Sequence, residues 1–304
     1  MTEAQRIAML EPPRGKVSMV LDTDTYNEVD DQFAVAYAVR SAQAGLINLE
    51  AIYAAPFENR GYAYDEGMEM SYKEIHRVLD LIHSPEYKSK VFRGATHPIV
   101  DGKPSCSEAA EHLISLAKDP NRTEPLYVVA IGAITNVVSA LMMAPEIAEK
   151  IVVVWLGTNS LHWPLIREFN VCQDRAAAQY LFNCGVPLML MPAYNVISGM
   201  VTSVYELEHY LDGKSEIGTY LVQICRDYAA ERETPAVAWS KVIWDVAGPA
   251  YVMHPEWFET RLVTSPILTD DLHWATDSHR HLIRIADFVY RDYVFRDVFN
   301  KLTE

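Results

Sequence analysis

Val17-Ser18-Met19-Val20-Leu21 runs directly into Asp22-Thr23-Asp24-Thr25-Tyr26-Asn27-Glu28-Val29-Asp30-Asp31. The first five residues have the length and apolar character of a buried strand. The ten behind them carry five carboxylates. Like charges packed at the end of a buried strand repel, and they cannot all stay ionised unless a cation offsets them. The stretch therefore reads as a divalent metal site at the carboxyl end of a strand. Its ligands would all be oxygen, which favours Ca2+, Mg2+ or Mn2+ over zinc or copper.

Outward from this stretch, apolar runs of strand length alternate with segments of helical period. This pattern predicts an α/β fold with a mainly parallel central sheet and helices on both faces. Strands are predicted over 17–21, 49–54, 126–131, 151–156 and 187–191, and further strands over 257–264 and 281–289. Helices are predicted over 30–44, 66–83, 134–143, 174–183, 201–211, 215–232 and 240–253, and an amphipathic packed helix over 288–299. Segments 101–107 and 229–235 read as exposed loops. In such sheets the ligand lies beyond the carboxyl ends of the strands, near a topological switch point. The acidic cluster stands at such an end.

The chain has 304 residues, half of them hydrophobic, enough for a large core. No linker, repeat or low-complexity tract divides it. The expected organisation is an N-terminal extension over 1–16 and a single domain over 17–304. A formal charge of -15 and a pI near 5.1 exclude a nucleic acid or an anionic membrane as partner, because both need a basic face. A small molecule is the expected partner. Cys106, Cys172, Cys184 and Cys225 are scattered, with no zinc or disulfide spacing, and read as reduced, mostly buried thiols. With neither a secretory-type leader nor an apolar run near the ~18 residues of a membrane span, a cytoplasmic enzyme is expected.

Further motifs stand in order along the chain: Ala130-Ile131-Gly132-Ala133-Ile134-Thr135-Asn136, Glu168-Phe169-Asn170, Asp174-Arg175-Ala176-Ala177, Trp244-Asp245 and Arg291-Asp292-Tyr293-Val294-Phe295. With Asp22-Thr23-Asp24 and Asp30-Asp31 they resemble the inosine-uridine preferring nucleoside hydrolase family. That family's corresponding elements read DTDPGxDD, TGPLTN, EFN, DPEAA, HD and RDAIF. The resemblance spans nearly the whole chain from Val17 onward. The acidic turn is two residues longer here than is usual in the family.

The resemblance implies a Rossmann-like nucleoside hydrolase fold and Ca2+-dependent hydrolysis of the N-glycosidic bond of nucleosides to free base and ribose. Asp24, Asp31, Asp245 and the carbonyl of Ile131 would hold Ca2+. The nucleophile would be a water on the metal, with Asp24 as general base, in a catalytic set of Asp24, Asp30 and Asn170. Asp30 would accept from ribose hydroxyls, Glu168 and Asn170 would bind the sugar, and Asp22 would support the loop. Asn159 stands in for a loop asparagine of the family. Asn59 sits near another, with Glu58 competing for that alignment. Trp244 replaces the family's frequent histidine. Tryptophan cannot donate a useful proton but can stack on a flat base, as in the purine-preferring branch. Homodimers or homotetramers are expected by the same resemblance.

Each feature also has a plainer reading. Asp30 and Asp31 alone could cap a helix, Asn136 could cap the next one, Glu168 and Asn170 could be a solvated pair, and Trp244 a core aromatic. Of His97, His162, His273, His279 and His281, only His162 falls in a loop expected near the site. Two rival functions remain. Asp22-Thr23-Asp24-Thr25 fits the DxDxT nucleophile motif of haloacid dehalogenase-like phosphatases, although no later acidic pair completes it. A catalytically weak nucleoside-binding protein on the same fold would keep the sugar contacts without turnover.

Overall fold

The computed structural model describes residues 1–231 and 239–303. Its centre is an eight-stranded sheet. In chain order the strands are β1 (Val17–Thr23), β2 (Ile47–Ala54), β3 (Val91–Arg93), β4 (Leu126–Ala130), β5 (Ile151–Leu156), β6 (Leu188–Met191), β7 (Phe258–Thr264) and β8 (Leu282–Val289). Their spatial order is β3-β2-β1-β4-β5-β6-β8-β7, and every pair is parallel except β8 with β7.

Strand parity explains the layers. Met19, Leu21, Val129 and Val154 join one core with helices Asp31–Gln43, Tyr64–Leu81, Glu216–Ala230 and Arg291–Thr303. Val20, Val128, Val153 and Trp155 join a second core with helices Glu108–Ala117, Thr135–Met143 and Arg175–Cys184. Both faces are thus covered, which is why the strands read as continuous apolar runs. The chain leaves β1 toward β2 and β3, then returns to place β4 on the other side of β1. That reversal is the switch point, and it opens between the carboxyl ends of β1 and β4.

Two helical expectations are corrected. Val201–Ser203 and Ser240–Val242 pair antiparallel as a short ribbon, and helices occupy only Val204–Tyr210 and Ala247–Met253. The pairing joins segments far apart in sequence, so local periodicity gave no sign of it. The strand β3 and the helix Glu108–Ala117 were not anticipated, although Ser107 caps the latter by accepting from the Ala110 N–H. Residues 1–16 are not loose: helix Glu3–Met9 is tied to the far side of the sheet, where Arg6 Nε donates to the Gly185 carbonyl and Glu3 accepts from the Leu282 N–H. The expectations for 229–235 and for the end of the 215–232 helix lie partly outside the described residues. Among the described residues no helix is long and apolar enough to cross a membrane.

Candidate functional site

A cavity of about 420 Å³ opens at the switch point, and its wall includes Asp24, Asp30, Asp31, Ile131, Asn170 and Asp245. All four aspartates are buried. Asp24 follows β1, Asp30 and Asp31 open the helix Asp31–Gln43, and Asp245 arrives just beyond the ribbon. The side chain of Asp30 makes no capping bond to its helix. Its Oδ2 instead accepts from the Trp244 N–H at 3.0 Å, and its Oδ1 lies 3.4 Å from Lys241 Nζ. Asp31 turns elsewhere: its Oδ1 accepts from Thr23 Oγ1 at 2.5 Å. Neighbouring residues at a helix start point apart, so one acidic pair serves two directions.

Carboxylate oxygens of Asp30, Asp31 and Asp245 lie within 4.8 Å of one another. Asp24 completes the charge cluster, and its Oδ2 is buried without a partner among the described residues. Burial pushes the Asp31 carboxyl up to about 7, with the charge of Asp30 adding to it. Burial, then the charge of Asp31, holds Asp24 well above the ordinary carboxylate range, and burial with Asp30 and Asp31 does the same to Asp245. Asp30 is also raised by burial, while Lys241 pulls it back.

These residues fit a hard divalent cation. The donors are all oxygen, one of them is orphaned, and their mutual repulsion is what a bound +2 charge relieves. Gly132 is part of the fit, because a Cβ there would lie 2.7 Å from Asp24 Oδ1 and drive the carboxylate out of place.

Asn170 links β4 and β5. Its Nδ2 donates to the carbonyls of Ile131 at 3.1 Å and Leu156 at 2.9 Å, so the atom it can offer a ligand is the acceptor Oδ1. Glu168 caps the helix Phe169–Gln173, accepting from the N–H groups of Thr158, Asn170 and Val171. Burial still raises it to about 7 against those bonds. It lines the cavity as a buried cap, not as half of a solvated loop pair.

Asn159 stands outside the cavity wall, its Nδ2 donating to the Leu165 carbonyl. Asn59 also stands outside and reaches the site only through Asn27, whose Oδ1 accepts from Asn59 Nδ2 at 2.8 Å. Glu58 is exposed, with its backbone tied to Gln173. Asn136 neither caps its helix nor lines the cavity. It donates to Asp22 Oδ1 at 2.8 Å and accepts from the Ala95 N–H at 2.7 Å. Asp22 therefore lies behind the wall, raised to about 7 by burial. His162 is also outside, against Asn195.

Several wall or support residues, Arg167 among them, were not singled out from the sequence. Asn27 and Glu28 sit on the lengthened acidic turn, Tyr194 follows β6, and Lys241 lies in the ribbon. Lys241 was legible in principle, as a lone cation in the aromatic stretch Trp239-Ser240-Lys241-Val242-Ile243-Trp244. Tyr194 carried no local signal.

An open, mainly parallel sheet that delivers buried carboxylates to a cavity at its switch point defines an α/β ligand-binding protein of the Rossmann-like class, with a site fit for a metal. Residues 19–281 match the family described as inosine-uridine preferring nucleoside hydrolase, and the chain belongs to that family. It is 24% identical over 269 residues to the pyrimidine-specific ribonucleoside hydrolase RihA of Salmonella paratyphi B, covering 80% of this chain and 81% of that protein. It is 33% identical over 91 residues to RihA of Enterobacter sp., a match spanning only 28% of that relative's length. In fold it is similar to the purine-preferring ribonucleoside hydrolase from Gardnerella vaginalis, with a TM-score of 0.76 and 21% identity over 94% of this chain and 98% of that one.

Proposed function

We propose that this chain hydrolyses the N-glycosidic bond of nucleosides to free base and ribose, with Ca2+ as its metal and purine nucleosides as preferred substrates. The observation that carries this reading is the convergence of Asp24, Asp30, Asp31 and Asp245, from segments more than 200 residues apart, on one buried cavity.

Asp24, Asp31, Asp245 and the Ile131 carbonyl would hold Ca2+, which when bound supplies polarisation of a water and a grip on vicinal sugar hydroxyls. Asp24 would offer its Oδ2, which has no hydrogen-bond partner among the described residues, as the acceptor of the proton lost by the attacking water. Asp30 has lone pairs left beside its bonds to Lys241 and Trp244, and with Asn170 Oδ1 it accepts from ribose hydroxyls and fixes the sugar. Glu168 holds the backbone of Asn170 in place. As the glycosidic bond lengthens, positive charge develops on the ribosyl ring, and the acidic wall favours that state over the neutral substrate. Trp244 lines the cavity and offers a flat apolar surface to the departing base.

A phosphatase mechanism through the first aspartate of the DxDxT motif has no footing, because Asp22 lies outside the cavity wall and is engaged by Asn136. The test is ribose release from inosine, adenosine, guanosine and uridine, with Ca2+ and with chelator. Release that chelation abolishes and Ca2+ restores is expected. No ribose from any nucleoside would overturn the reading, and unchanged release under chelation would overturn its metal.

A further inference from the structure

Part of the cavity wall is aromatic and reaches the surface. Tyr194 lines the cavity beside Trp244, with ring centroids 5.6 Å apart and planes at 67°. On its outer side Tyr194 runs nearly parallel to Trp163, at 6.2 Å and 18°. Tyr194 is 48% exposed and Trp163 38%, so this pair sits at the mouth and not in the core.

The segment bearing Tyr194 is held in place from its neighbours. The Tyr194 carbonyl accepts from both the N–H and Oγ of Ser160, at 3.4 and 3.2 Å. The Ala193 N–H donates to the Thr158 carbonyl at 2.9 Å, and the Asn195 N–H to Ser198 Oγ at 3.1 Å. Asn195 takes a φ of +75°, a left-handed conformation that asparagine tolerates better than most residues. The loop after β5 and the turn after β6 are therefore joined, and together they present the ring to the cavity.

We propose that Tyr194, braced by Trp163, is the outer wall of the base subsite and sets its preference for bicyclic over monocyclic bases. This rests on the nucleoside hydrolase reading above. Trp244 and Tyr194 form a corner, and a flat heteroaromatic lying on one ring turns its edge to the other, the arrangement aromatic pairs favour. A single six-membered base seated over the sugar is served by the inner ring. The second ring of a purine extends toward the mouth and covers Tyr194, burying apolar surface that the free protein leaves in water.

The test compares kcat/KM for inosine and uridine in wild type, Tyr194→Ala, Tyr194→Phe and Trp163→Ala. Tyr194→Ala is expected to lower kcat/KM for inosine about tenfold and for uridine by no more than about twofold, on the scale of one lost aromatic contact. Tyr194→Phe keeps the ring and is expected near wild type, with Trp163→Ala in between. An equal fall for both nucleosides, or no fall for inosine, overturns the assignment. Calorimetric titration of each protein with inosine and with uridine reads the same contact without turnover. If wild type releases no ribose, the hydrolase reading fails alone: selectively weaker inosine binding in Tyr194→Ala still supports the wall, and unchanged inosine affinity overturns it.

Discussion

Replacing Lys241 by methionine isolates the interaction that ties the two halves of the site together. Lys241 is 6% exposed, pairs with Glu28, and holds its Nζ 3.4 Å from Asp30 Oδ1. Asp30 and Glu28 together hold its ammonium above the ordinary lysine range, although burial alone would lower it. At that separation an effective dielectric of about 20 gives 332/(20 × 3.4), or about 5 kcal/mol of attraction. Desolvation of the two charges offsets most of this in the intact pair. Removing one partner leaves the other buried and uncompensated, which costs about 3–5 kcal/mol. The lower end applies here, because Asp30 keeps the Trp244 N–H and can take up a proton. Lys241→Met is thus expected to lose about 3 kcal/mol in urea unfolding at neutral pH with chelator present. The companion variant Lys241→Met/Asp30→Asn should regain most of that loss, with a coupling of about 2 kcal/mol in the double-mutant cycle. A single variant within about 0.5 kcal/mol of wild type, or additive effects in the cycle, would refute the reasoning.

Asp24→Ala should cut kcat by about 100- to 10,000-fold and shrink the Ca2+-induced rise in melting temperature, while the chelated protein unfolds at or above the wild-type temperature because one repelling buried carboxylate is gone. A near-normal rate would remove Asp24 from the mechanism. Glu168→Ala leaves three backbone N–H groups without their acceptor and should cost about 3 kcal/mol, with a raised KM because Asn170 loses its anchor; urea unfolding and steady-state kinetics read both. His281 has a buried Nε2 with no hydrogen-bond partner among the described residues, and burial, then Arg6, lowers its imidazole to about 4. The unfolded chain takes a proton below about 6.5 where the fold does not, so stability from this group is full above about 6.5 and falls as pH drops toward 4. Between pH 7 and 4.5 wild type should therefore lose on the order of 1–2 kcal/mol more than His281→Gln, after discounting for the partly exposed ring, and parallel losses would contradict the assignment.

Most of the sheet was legible because its central strands are buried on both faces. Runs such as Ile151–Leu156 have no polar alternation, and the helix predicted over 134–143 lies at Thr135–Met143. The ribbon was not legible, since Val201 and Val242 are paired across two intervening helices, Val204–Tyr210 and Glu216–Ala230. The same non-local pairing places Lys241 beside Asp30 and sets the position of Asp245. Asn136 shows the limit in another way. A short polar side chain at a helix start has local partners on offer, yet it spans Asp22 and Ala95 because three strands converge there.

By itself the sequence indicated that a buried strand ends in more negative charge than a fold can hold uncompensated, and hence that a site fit for a cation stands at the carboxyl end of a strand in an α/β sheet. Composition and periodicity suffice for that, because charge and burial are properties of the residues. Only the tertiary structure decided how the labour is divided: Asp24, Asp30 and Asp31 in the cavity with Asp245, Asp22 behind it, Asn59 and Asn159 outside it, and Tyr194 at its mouth. Those assignments depend on which side chains face the cavity once β1, β4 and the ribbon have been brought together. That is a property of distance in space, which separation along the chain does not encode.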